Sequence, residues 1–128
     1  MYHAVGLLQA QSDFDLDTAG ERLVARIPGS TSERGGDTIT VSKGDWWIAV
    51  ALESGNHLRD EIEGLTSKLA GIEPAEAEEY VQSARRVTVW TDVPDPFMEH
   101  FNDYLSAVEV LKSFGGVLAV DPKEPGVL

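Results

Sequence analysis

The chain has no cysteine, which excludes disulfides, thiol nucleophiles and zinc sites built on thiolates. Long apolar runs are missing as well. The run at residues 4–8 is interrupted by Asp13, Asp15 and Asp17 soon afterwards, and no stretch approaches the roughly 20 apolar residues that cross a bilayer. No basic region follows Met1, so a secretory pattern is lacking and the expected compartment is the cytoplasm. Basic residues are scarce, 10 Lys and Arg against 22 Asp and Glu, and the net charge of -12 repels nucleic acid and anionic lipid. The same imbalance favours solubility and steers the protein towards basic partners. Gly35-Gly36 has neither the spaced glycines of a dinucleotide fingerprint nor the lysine of a P-loop. No serine occupies a G-x-S-x-G elbow, and His3, His57 and His100 fall on separate segments without a metal spacing such as H-E-x-x-H. Neither a cofactor nor a metal site is expected.

What is present suits one soluble domain with one core: 128 residues, 42% hydrophobic and 25% charged. The most legible stretch is residues 38–53, TITVSKGDWWIAVALE, which reads as a β-hairpin. With Lys43-Gly44 as the two-residue turn, Ser42 opposes Asp45, Val41 opposes Trp46 and Thr40 opposes Trp47. Ile39, Val41, Trp46, Ile48, Val50 and Leu52 then share the core side, because alternate residues of a strand point to one face. Thr38, Thr40, Ser42, Trp47, Ala49, Ala51 and Glu53 share the other. That second face is small and polar apart from Trp47, whose ring either packs under another element or stands exposed as an interaction anchor.

Around the hairpin, residues 2–9 form a strand apolar on both faces, and Leu16, Ala19, Leu23 and Ile27 mark a helix from about Asp15 to Arg26. Residues 28–37, PGSTSERGGD, have no periodicity and read as a mobile loop. Leu58, Ile62, Leu65 and Leu69 mark a second helix, and Pro74 starts a third that turns Ala77, Tyr80, Val81 and Ala84 inward. Its other side carries Glu73, Glu76, Glu78 and Glu79. With Asp60, Glu61 and Glu63 these make seven acids against Arg59 and Lys68, which is either a solvated face or a contact surface. Arg85-Arg86 either neutralises those acids or grips an anion. The strand VTVWT follows, with Trp90 among threonines on the less apolar side, as Trp47 is. Asp95 as N-cap and Pro96 open the longest helix, carrying Phe97, Phe101, Tyr104, Leu105, Val108 and Leu111. His100 and Asp103 are spaced for contact. After Gly115-Gly116 come a buried strand at 117–120 and a loose tail at 121–128.

The order β-α-β-β-α-(α)-β-α-β defines an α+β class. Its first part matches a ferredoxin-like split β-α-β sandwich with a mainly antiparallel sheet and helices on one face, and the last helix and strand form an additional unit. The opposite face is covered by the long helix or free to bind.

The closing stretch FMEHFNDYLSAVEVLKSF followed by GGVLAVDP resembles the end of several small acidic α+β immunity proteins that bacteria encode beside polymorphic toxins. The resemblance covers about a fifth of the chain. It implies a non-enzymatic inhibitor that occludes a secreted toxin's active site. Acidity points the same way independently, since many toxins that attack nucleic acid are basic and complementary charge speeds association.

The expected function is therefore that of a binding protein, an immunity protein whose partner is a basic toxin, with no nucleic-acid or membrane partner. The expected contact surface joins Glu73, Glu76, Glu78 and Glu79 to an aromatic anchor, Trp47 or Trp90. A self-associating or small-molecule-binding module, with a homodimer through the open sheet face, is the second reading. A small hydrolase using a carboxylate pair is the third.

Overall fold

Strict alternation of apolar and polar residues gives this protein one sheet with two unlike faces. The computed structural model describes residues 2–128. The strands are β1 (His3–Leu8), β2 (Thr31–Gly35), β3 (Thr38–Lys43), β4 (Trp46–Ser54), β5 (Arg85–Trp90), β6 (Val117–Asp121) and β7 (Gly126–Val127). They form a seven-stranded antiparallel sheet in the order β2-β3-β4-β5-β1-β6-β7. The helices are α1 (Leu16–Arg26), α2 (Arg59–Thr66), α3 (Pro74–Ser83) and α4 (Phe101–Lys112), so the class is α+β. No helix among the described residues is long and apolar enough to cross a membrane.

Two cores flank the sheet. On the first face, Leu16, Ala19 and Leu23 of α1 and Ala107, Val108 and Leu111 of α4 pack on Ile39, Val41, Ile48, Val50, Val87 and Val89. On the second, Leu58, Ile62, Leu69 and Tyr80 pack on Val5, Leu7 and Val120. Strand β1 contributes to both, which explains its apolar residues on either side. The second core draws its sheet residues only from β1 and β6. Across β2, β3 and the Trp47 and Trp90 ends of β4 and β5 the second face carries no core under a helix, while α2 overhangs the other end of β4 and β5, where Glu61 meets Arg86.

Several expectations need correction. The sheet has seven strands, more than the β-α-β-β-α-β pattern of a ferredoxin-like sandwich contains, and helices lie on both faces. The last helix and strand are not an addition: α4 packs beside α1 in the main core, and β6 pairs with β1. Residues 31–35 are not a loop but the edge strand β2, and their lack of periodicity follows from exposure of all five residues. The C-terminal tail turns back as β7, with the Leu128 N–H donating to the Ala119 carbonyl at 2.9 Å. In the central hairpin Lys43 pairs with Trp46, so the turn is Gly44-Asp45. Gly44 supplies a φ of 60° at the first turn position, where a type II′ turn requires glycine. Moving the turn by one residue shifts both strands together, and the two faces keep their residues.

Tyr80 ties α3 down and is buried, donating its hydroxyl to Glu76 Oε1 at 3.2 Å. Burial, with Glu76 beside it, pushes the phenol from 10.0 to about 12. Below pH 10 the proton stays on in folded and unfolded chains alike, and this contribution is complete. Between 10 and 12 the unfolded chain releases it first, so stability falls as pH rises. Tyr80→Phe should make the decline in thermal midpoint over that window shallower, which melting curves across a pH series will check.

Candidate functional site

The uncovered part of the second sheet face carries Thr38, Thr40 and Ser42 of β3, Trp47, Ala49 and Ala51 of β4, and Trp90 of β5, with Thr88 of β5 at its border with α2. Register fixes their arrangement: Ser42 opposes Trp47, Ala49 opposes Trp90, and Ala51 opposes Thr88. Trp47 and Trp90 are thus diagonal neighbours on adjacent strands, roughly 7–8 Å apart. Both are half-buried, and neither ring joins either core. Ala49 lies buried beside them, a small residue that keeps the floor low. The long helix α4 packs on the opposite face and does not cover them.

Trp46 takes the other side of the strand. It is 2% exposed and stacks on His100 with ring centroids 4.6 Å apart. Its indole N–H is buried without a partner. Asp103, 9% exposed, holds this corner by accepting from Lys43 Nζ at 3.4 Å and lying 3.0 Å from His100 Nδ1, as the spacing predicted. Among the described residues no serine or threonine hydroxyl bonds to His100.

Beside the tryptophans, between α2 and the sheet, lies a cleft of about 530 Å³ lined by His3, Glu53, Glu61, Lys68, Arg86 and Thr88, among others. Arg86 donates from Nη1 to Glu61 Oε2 at 2.7 Å and from Nη2 to Glu53 Oε2 at 3.4 Å. It is an intramolecular counterion, though to α2 and β4 and not to α3. Burial alone would raise the Glu53 carboxyl. The Thr88 hydroxyl, donating at 2.8 Å, and Arg86 outweigh it and hold Glu53 below the usual carboxylate range. Burial, with Lys123 and Arg86 adding to it against Asp121, holds His3 below the usual imidazole range.

The four glutamates lie elsewhere. Glu73 is exposed at the N-cap of α3, Glu76 accepts from Tyr80, Glu78 accepts from Gln82 Nε2 at 2.6 Å, and Glu79 accepts from Gln9 Nε2 at 3.0 Å. Gln9 follows the far end of β1, whereas Trp90 pairs with His3 at its start. That separation is about 20 Å along the strand. The structure brings Trp47 and Trp90 together and leaves the acids of α3 outside their patch.

One feature escaped the sequence reading. The longest helix begins at Phe101, not at Phe97. Asp95 is not the cap: the helix's N-cap is His100, and Asp95 accepts from the backbone N–H groups of Glu99 and His100, four and five residues on, across a turn in which Met98 adopts a φ of 56°. Phe97 is left 83% exposed and Met98 58%.

Among the described residues, no three His, Asp or Glu side chains gather in a way that would hold a metal ion. No protein-family model, curated protein or solved structure matches this chain.

Proposed function

We propose that this protein is a non-enzymatic inhibitor that binds a basic protein through the uncovered part of its sheet, as an immunity protein neutralises the toxin encoded beside it. The observation that carries this reading is the pair Trp47 and Trp90, side by side on the part of a sheet face without a helix over it, in a chain of net charge -12. Tryptophan is the residue type most enriched among binding hot spots, and its ring face attracts lysine and arginine. The acidic surface speeds encounter with a basic partner and disfavours nucleic acid and anionic membranes. Masking the partner's active site requires no chemistry from this chain, only a stable complex in the cytoplasm where the toxin would act.

A finer reading of the fold accompanies this one. The subset β1-α1-β4-β5-α4-β6 runs β-α-β-β-α-β, has its strands in the order β4-β5-β1-β6, and keeps both helices on one face. It is a ferredoxin-like core, with β2-β3 and α2-α3 as insertions. The insertions widen the sheet and cover one end of its second face.

The test is co-expression with the adjacent reading frame. Growth arrest by that product alone, relieved by this protein, is the expected result, and a neighbour that is harmless alone would sink the idea. One observation favours a second reading: the cleft of about 530 Å³ falls in the size range of small-molecule sites. Self-association through the open face belongs with it, against mutual repulsion of two chains of charge -12. Light scattering separates them, since a stable dimer favours the second reading and a monomer the inhibitor.

A further inference from the structure

A glycine sits inside α2 where no neighbour calls for one. Glu61, Gly64 and Leu65, with Lys68 in the turn that ends the helix, follow the i, i+3, i+4, i+7 spacing of one helical stripe. All four line the cleft of about 530 Å³ between α2 and the sheet. A methyl group placed on Gly64 would meet no atom within 4 Å, so nothing crowds a side chain out. Glycine in a helix interior destabilises it relative to alanine. The stripe keeps a notch in the wall of the cleft at the expense of the helix.

The sheet supplies the floor. Register places Val5 beside Thr88 and Glu53 beside Arg86, and the turn between β6 and β7 adds Pro122 and Pro125. The charges inside are balanced, Glu53 and Glu61 against Arg86 and Lys68, in a chain whose acids outnumber its bases by 22 to 10. They do not exhaust one another. Arg86 donates from Nη1 to Glu61 Oε2 at 2.7 Å, and from Nε and Nη2 to Glu53 at 3.4 Å each. The two bonds to Glu53 are longer than the usual range of roughly 2.7–3.2 Å, and Nη1 and Nη2 each keep a second N–H. Glu61 receives Arg86 on Oε2 alone, and its side chain is 59% exposed. Lys68 is exposed and has no ion-pair partner among the described residues.

A lone anion in this cleft would meet Glu53 and Glu61, and a lone cation would leave Lys68 and the spare donors of Arg86 unused. A ligand that carries both charges satisfies both sets. Val5, Leu65, Pro122 and Pro125 offer apolar surface for a hydrocarbon group beside them.

We propose that the cleft binds a free amino acid with an apolar side chain, its carboxylate on Lys68 and Arg86, its ammonium on Glu61, and its side chain in the space that Gly64 leaves open. Neither the basic partner nor the tryptophan pair enters this assignment.

The test is an NMR titration of the whole, isotope-labelled protein with valine, leucine, methionine and phenylalanine in turn. The amine and the acid that each lack one charged group of the tightest binder follow. At least one amino acid should shift the backbone signals of Gly64 and Thr88 with a Kd below about 1 mM, and both analogues should bind at least about tenfold more weakly. Lys68→Ala should weaken binding on the order of tenfold with the thermal midpoint unchanged. Gly64→Leu should abolish binding while the midpoint holds or rises, because leucine is the better helix former and its side chain enters the notch. No saturable shift with any of the four overturns the proposal. So does an amine or acid that binds as tightly as its parent, or wild-type binding by both Lys68→Ala and Gly64→Leu.

Discussion

Replacing Trp47 and Trp90 together with alanine is expected to weaken binding of the partner by on the order of 10³-fold while the thermal midpoint moves by only a few degrees. A hot-spot aromatic costs about 2 kcal/mol or more when truncated, and two of them sum to roughly 4 kcal/mol, or three decades. The rings are neighbours, so they need not be independent, and the single variants will show how far they couple. Stability should hold because neither ring belongs to the core under α1 and α4 or to the core under α2 and α3. Surface plasmon resonance and scanning calorimetry on the same preparations give the two numbers. A collapse of the midpoint would instead return the pair to a structural role.

Leu111→Ala should destabilise the fold by about 2–5 kcal/mol and lower the melting temperature by on the order of 10 °C. Leu111 is 1% exposed and lies in the core where α4 meets α1 and the sheet. The resulting cavity would be bounded by α1, α4 and the central strands, none of which can collapse into it freely. Since α4 and β6 are integral to the sheet, denaturant unfolding should remain one transition shifted as a whole. A separate early transition would mean that α4 and β6 fold as an appended unit.

Local features were legible wherever one face of an element was buried. The helix start at Asp15 is one such feature, and Asp15 caps α1 by accepting from the Thr18 N–H at 2.9 Å. The two faces of the central hairpin follow from alternation alone, and so survive an error in the turn. The His100 to Asp103 contact follows from helical spacing. Features that depend on long-range pairing were hidden. Nothing local shows that β5 lies between β4 and β1, and only that order makes Trp47 and Trp90 neighbours. The edge strand β2 has no buried side chain to betray it.

The late start of α4 has a different cause. Phe97 stands four residues before Phe101 and mimics the apolar stripe of α4. What removes it from the helix is the left-handed backbone at Met98, a conformation that methionine does not advertise. The acids of α3 and the two tryptophans stand apart because Glu79 meets Gln9 beyond the end of β1 and Trp90 pairs with His3 at its start.

The most direct measurement is titration of the toxic activity of the adjacent gene's product with purified wild-type protein. Loss of activity that is complete at one equivalent, with an association rate that falls as salt is raised, is what this account predicts. Full activity in the presence of a large excess of the protein would contradict it.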